Sequence, residues 1–159
     1  MFYLVENIFS DTLLNEITNR ANNCEYFKHT DDVYSFEGNL IVDTLKQKIL
    51  SELSLKNINI IPELIRVQRI TPDLEVNENF HKHNKIYDTN VVVFINDDYE
   101  GGEFVYILDG VEHIIKPENN LGMVFSPDIL HKVLNVTKGT RYTLVSFANK
   151  NNYPEKHLI

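Results

Sequence analysis

Residues 80–104, FHKHNKIYDTNVVVFINDDYEGGEF, hold two histidines one residue apart, an apolar run, and an acidic turn closing on Gly-Gly. The apolar run, NVVVFIN, is short and bounded by turn residues, which is the pattern of a buried β-strand. It is one of a series. Ahead of it, ELIRVQRI alternates Leu64, Arg66, Gln68 and Ile70 against Ile65, Val67 and Arg69, the period of a strand. Behind it come EFVYIL, VEHIIK, LGMVFS, HKVLNV and RYTLVSFA, separated by DDYEGG, LDG, PENN, PDIL and TKG. The LDG between two of these runs is a hairpin signal.

Toward the N-terminus the texture changes. After Ser10, a candidate N-cap, DTLLNEITNRA places Leu13, Leu14 and Ile17 on one side, a helical period. NLIVDTLKQKILSEL repeats it with Leu40, Ile41, Leu45, Ile49 and Leu53. Residues 24–39 between the two read as loop with one short strand. The expected class is therefore mainly β (α+β): a sandwich or barrel of short strands backed by helices. No internal repeat or linker divides the 159 residues, so one domain is expected, with a helical flank at about 10–55 and a strand core at about 60–148.

Composition limits the function. Twenty-three acidic residues stand against fifteen Lys and Arg, a net charge of -8, and no basic stripe interleaves with aromatics. That argues against nucleic acid as the main partner. The chain start, MFYLVENIFS, has no basic segment followed by a long apolar core, and no run approaches the roughly eighteen apolar residues of a membrane span. A soluble, cytoplasmic protein with no membrane partner is the expectation. Cys24 is the one cysteine, which excludes an intramolecular disulfide and reads most simply as a structural thiol.

Six histidines are candidates for chemistry: 29, 81, 83, 113, 131 and 157. Residues i and i+2 of a strand point the same way, so His81 and His83 can share a cavity. His131, opening a later strand, would supply a third imidazole, leaving positions on a metal open for catalysis. Arg141 follows ten residues on. His29, His113 and His157 read as loop, strand and tail residues without a catalytic role. Each feature alone has an ordinary surface explanation; their order is what carries weight.

The stretch VVVFINDDYEGGEF … IKPENNLGMVFSPDILHKVLNVTKGTRYTLVSF resembles the C-terminal part of the Fe(II)/2-oxoglutarate-dependent dioxygenases, particularly the prolyl 4-hydroxylase-like branch. The resemblance spans roughly residues 60–148 and rests on FINDDYEGGEF, KPENNLGMVFSPD, His131 and VLNVTKGTRY in order. It implies a double-stranded β-helix (jelly roll) with N-terminal flanking helices. It also implies a His-x-Asp/Glu…His iron site whose distal ligand is His131. Arg141 then takes the far carboxylate of 2-oxoglutarate, and Thr143, on the same side of its strand, offers a hydroxyl.

The proximal motif departs from that pattern. With His81 as first ligand, His83 replaces the carboxylate; with His83 first, the expected Asp falls on Lys85, and Asp88 is the nearest acid. The metal-competent spacing favours His81, His83 and His131; the aromatic Phe80 favours the other register. Histidine also fills the room a halide would need, so halogenation is not expected. The leading expectation is hydroxylation of a C–H bond, on a prolyl or other peptidyl residue or a small molecule. Fe(II), 2-oxoglutarate and O2 take part, and ascorbate supports turnover. Substrate choice would lie in loops 26–39 and 71–90. Two alternatives stand: a cupin-like metalloprotein that does not use 2-oxoglutarate, and a jelly-roll binding module without catalysis.

Overall fold

The computed structural model describes residues 1–24, 27–28, 32–35, 40–74, 76, 78–83 and 87–150. Its elements run β1 (Phe2–Val5), α1 (Asp11–Asn23), β2 (Phe27–Lys28), β3 (Asp32–Ser35), α2 (Leu40–Leu55), β4 (Ile60–Ile70) and β5 (Thr89–Phe94). They continue with β6 (Glu100–Gly101), β7 (Phe104–Leu108), β8 (Val111–Ile115), β9 (Gly122–Phe125), β10 (Leu130–Val133), β11 (Val136–Lys138) and β12 (Arg141–Lys150). Seven strands form an antiparallel sheet in the order β1-β9-β5-β12-β4-β3-β2. A three-stranded sheet, β10-β7-β8, and a two-stranded one, β11-β6, complete a jelly roll.

Alternation along the central strands gives the large sheet two faces. On the outer face Ile65, Val67, Val91, Val93 and Leu144 form one cluster with the helices. Helix α1 contributes Leu13, Leu14, Ile17 and Ala21, and α2 contributes Leu45, Ile49 and Leu53, each set spaced to make one stripe. Ser10 caps α1, its Oγ accepting from the Leu13 N–H at 3.2 Å. The helices thus lie on the outer face of the larger sheet, where their apolar stripes find a partner. No helix among the described residues is long and apolar enough to cross a membrane.

The inner face turns toward the small sheet, and a second cluster of Val92, Phe94, Phe104, Met123, Phe125 and Val145 fills one end of the space between. Three details depart from the sequence reading. Phe2–Val5 is an edge strand paired with β9, from Phe2↔Phe125 to Val5↔Gly122. HKVLNV is two strands in different sheets: β10 pairs with β7, and β11 pairs with β6 after a break at Leu134–Asn135. Within 24–39 there are two short strands, β2 and β3, which extend the large sheet beyond β4.

Candidate metal centre

His81 and His131 face each other across an isolated antiparallel bridge, each N–H donating to the other's carbonyl at 2.9 and 3.0 Å. The bridge fixes the two backbones side by side. Their rings stand 4.4 Å apart, and the His83 ring stacks on His131 at 4.6 Å. One ring nitrogen from each of the three lies within 4.8 Å of the others. His81 is exposed, His83 half-buried and His131 buried, so the cluster runs from solvent into the cleft.

The hydrogen bonds sort the tautomers. His131 Nδ1 lies 2.9 Å from the Ile129 carbonyl and His81 Nδ1 lies 3.2 Å from the Asn79 carbonyl. A carbonyl can only accept, so both Nδ1 atoms carry the proton and both Nε2 atoms present lone pairs. This is how proteins orient metal-binding imidazoles. His83 Nε2 sits 2.8 Å from His131 Nε2. Two nitrogens bound at right angles to one ion, at about 2.0–2.1 Å each, would be roughly 3 Å apart. The donor set fits a divalent metal, and a cation would replace the proton now shared between these two nitrogens.

Protonation does not compete for the site near neutrality. Burial first, then the positive fields of His131, His81 and Arg66, lowers the His83 pKa to about 3. Burial also takes His131 down to about 4, partly opposed by its bond to Ile129 and helped by His81. Asp88, the carboxylate nearest in sequence, is exposed, accepts from the Thr89 hydroxyl at 2.8 Å, and lies outside the cluster. Lys85, the position the other register needs, lies outside the described residues, as do His29 and His157. His113 stacks on Tyr106 at 4.9 Å, and Cys24 caps the end of α1; neither joins the site.

The histidines line a cleft of about 450 Å³. Arg141 lines it too, from the inner face of β12, and is only 1% exposed. Its Nε donates to the Gly102 carbonyl at 3.1 Å and an Nη to Thr143 Oγ1 at 3.3 Å. Thr143 therefore accepts from the guanidinium and holds it in place. The Phe94 ring lies 5.4 Å from it. A fixed, planar fork of donors lining a cleft is suited to a carboxylate.

This arrangement explains the Gly-Gly that the sequence displays so plainly. Gly101 and Gly102 both have positive φ, 79° and 71°. A Cβ on Gly102 would meet Arg141 Cδ at 2.8 Å, and one on Gly101 would clash with the Asn135 carbonyl. The pair lets the acidic turn close over the arginine. Residues missed from sequence complete the site. Tyr99 packs beside Arg141, its pKa raised to about 12 by burial against the pull of that guanidinium, so its hydroxyl keeps its proton. Arg66 and Gln68 line the cleft from β4, and their signal was the alternation in ELIRVQRI, which puts both on the face of Ile70.

No protein-family model matches this chain, and no curated protein matches it by sequence. Solved structures do match by fold. An oxidoreductase of the 2OG-Fe(II) oxygenase family from Burkholderia pseudomallei superposes with a TM-score of 0.75 at 17% identity, covering 95% of this chain and 85% of that one. A Trichoplax adhaerens prolyl hydroxylase, solved with a peptide of the hypoxia inducible factor oxygen degradation domain, gives 0.73 at 12% identity over 98% and 86%. The collagen prolyl hydroxylase of Paramecium bursaria Chlorella virus-1, in its 2OG complex, gives 0.61 at 16% over 92% and 94%. The resemblance read from the sequence is thus matched at the level of fold: the chain is a jelly roll of the kind these oxygenases share.

Proposed function

We propose that the protein is a single-domain Fe(II)- and 2-oxoglutarate-dependent oxygenase that hydroxylates a C–H bond. The observation that carries this reading is the pairing, in one cleft, of three converging imidazoles with a buried, immobilised arginine. In it His81, His83 and His131 hold the metal, with His83 in place of the usual carboxylate. Arg141, steadied by Thr143 and Gly102, grips the far carboxylate of 2-oxoglutarate. The chemistry supplied by bound iron is reductive activation of O2, one oxygen atom ending in succinate as the keto acid loses CO2 and the other in the C–H bond. The chain's own part is to hold three neutral donors, orient the co-substrate and surround the reacting atoms with Val92, Val145, Phe104 and Phe147. The fold likeness to prolyl hydroxylases supports a prolyl or other peptidyl residue as the broad substrate class.

Three neutral imidazoles leave the centre one charge more positive than two histidines and a carboxylate. A dianionic co-substrate is drawn to such a site, and the metal's potential shifts upward. The all-histidine set also favours a second reading, a metalloprotein of this fold that does not use 2-oxoglutarate. One anaerobic titration separates them. With Fe(II) bound, added 2-oxoglutarate should produce a weak visible charge-transfer band, and O2 with ascorbate should then release succinate. Metal uptake with no band selects the second reading, and no metal uptake leaves a binding module.

A further inference from the structure

We propose that Arg66 anchors a carboxylate on the primary substrate, so that the molecule hydroxylated is a carboxylic acid whose reacting C–H lies near that group. This rests on the oxygenase reading of the cleft and names the substrate class for it.

Arg66 sits on the inner face of β4 opposite Val145, and its guanidinium lies 5.7 Å from the centre of the Phe147 ring. The same ring is 4.6 Å from His83. Arg66 and His83 therefore share one aromatic wall. Arg141 is elsewhere: it pairs with Ile70, four residues along β4 from Arg66. At about 3.3 Å per residue that is about 13 Å along the strand. A five-carbon diacid spans at most about 6 Å, from four C–C bonds of about 1.5 Å each. The two guanidiniums also rest on different rings, Arg141 on Phe94 at 5.4 Å and Arg66 on Phe147 at 5.7 Å, so a 2-oxoglutarate gripped by Arg141 leaves Arg66 to another group. The second cation is left for a second anion.

The surroundings of Arg66 say the same. Its Nε is buried and has no hydrogen-bond acceptor among the described residues. Leaving a charged donor without an acceptor is costly, and a planar anion removes that cost. Among the described residues lining the cleft there are two arginines and no carboxylate. With three neutral histidines and a divalent ion added, the cavity is strongly positive and concentrates anions. The remaining walls beside Arg66 are Val145, Val92 and Phe147, which suit the apolar body of a small acid. Gln68, opposite Thr143 and between the two arginines on this face, offers an amide to whatever lies there. A single guanidinium set in apolar walls matches a carboxylate's one charge better than a phosphate's two.

The test uses full-length protein loaded anaerobically with Fe(II) and 2-oxoglutarate. The probes are acetate, propionate, L-proline and N-acetyl-L-proline, each against its amide; N-acetyl-L-prolinamide also mimics a prolyl residue inside a peptide. Calorimetry and the shift of the chelate absorption report binding. Acids of this set should bind at least tenfold tighter than their amides. R66Q should remove that preference while 2-oxoglutarate affinity stays within about threefold, R66K should restore part of it, and circular dichroism shows whether each variant is folded. L-Proline binding places the acid on a free molecule, and preference for N-acetyl-L-proline places it at a peptide terminus. The inference is overturned if no acid binds, if an amide binds as well as its acid, if inorganic phosphate binds as tightly as the acids, or if folded R66Q keeps the preference. In those cases 2-oxoglutarate still chelates and the oxygenase reading survives. Loss of chelation in the wild type overturns both.

Discussion

Along β12, the side chains turned toward the helices are Tyr142, Leu144, Ser146 and Ala148, and those turned toward the cleft are Arg141, Thr143, Val145 and Phe147. The same strand, at alternate positions, builds two different interiors. The outer one is closed by Leu13, Ile17, Ile49 and Leu53 and gains its stability from apolar area removed from water. The inner one is just as buried yet carries Arg141, Thr143, Asn90 and His131. Such a set costs stability unless its members are paired: Arg141 is held by Gly102 and Thr143 and His131 by Ile129 and His83, while Asn90 has no hydrogen bond among the described residues. Fold and function are thereby assigned to opposite faces of one sheet, and mutations should separate along that line.

The largest separation should come from His131→Ala. His131 alone is both buried and bridged to the proximal segment, and no other described side chain can take its place. Metal affinity should fall by more than the roughly 10–100-fold seen when only an outer hydrogen-bond partner is lost. Competition with a colorimetric chelator measures it, and a variant still binding Fe(II) like wild type would remove His131 from the site. Next comes Arg141→Ala, which should weaken 2-oxoglutarate by about 2–5 kcal/mol, upward of roughly thirtyfold, with metal affinity little changed. Lysine there should recover part of the loss, since it restores the charge without the fork.

The outer face should respond in the opposite sense. Leu53→Ala removes a side chain only 1% exposed and should cost about 2–5 kcal/mol in urea unfolding. In the protein that remains folded, affinities for Fe(II) and 2-oxoglutarate should match wild type. A Leu53→Ala protein that is well folded but has lost the metal would show that the two faces are coupled.

This division also decides what could be read from the sequence. Period-two runs such as ELIRVQRI, and the helical stripes of α1 and α2, were legible because each has one apolar face with a single place to go. Phe2–Val5 was not. It is an edge strand with exposed Tyr3 and Leu4, and only its pairing to β9 makes it a strand. HKVLNV reads as one run, yet the chain must bend at Asn135 for the turn at Gly101 to reach over Arg141, a contact between segments far apart in sequence. At the site, the three histidines and Arg141 were legible from motif order. Arg66 was visible only as a charge in an alternating run, and Tyr99 and Asn90 gave no local signal. Their roles depend on what the other strands bring to them.

Acid should act on the inner face first. His83 and His131 titrate at about 3 and about 4 in the folded chain, against 6.5 for an unperturbed imidazole. As pH falls below 6.5 the unfolded chain takes up protons that the folded chain refuses, so stability drops until the folded values are reached. Metal-free protein should therefore lose stability between about pH 6.5 and 4. The slope should stay below the limiting value of about 1.4 kcal/mol per pH unit for each proton, since His83 is partly open to water. Replacing His131 by Gln should reduce this slope, and Leu53→Ala should leave it unchanged. Urea midpoints at a series of pH values give the answer; an unchanged slope in the His131 variant would mean its burial does not hold it neutral.

The smallest effects offer the finest test, because each face contains a buried neutral polar side chain with no hydrogen bond among the described residues. Ser146 Oγ is on the outer face; both amide atoms of Asn90 are on the inner. Asn90 lies opposite Phe147 and Phe125, whose rings stand 4.6 and 6.4 Å from His83, so it is flanked in the sheet by the two aromatics that pack nearest that imidazole. A metal on His83 Nε2 would put the ring proton on Nδ1, which then needs an acceptor, and the Asn90 side-chain oxygen is buried with no hydrogen bond of its own among the described residues. Ser146→Ala and Asn90→Val should each stabilise the metal-free protein, by about 1 kcal/mol or somewhat more, since a buried group without a partner costs about 1–3 kcal/mol. Their consequences for the metal should differ. Ser146→Ala should bind Fe(II) as wild type does, whereas Asn90→Val should bind it several-fold more weakly, with the nitrogen-15 shifts of His83 no longer showing a single Nδ1–H form. If both variants gain stability and neither loses metal, the polar character of the inner face at Asn90 has no part in the site, and the division between the two faces begins closer to the histidines.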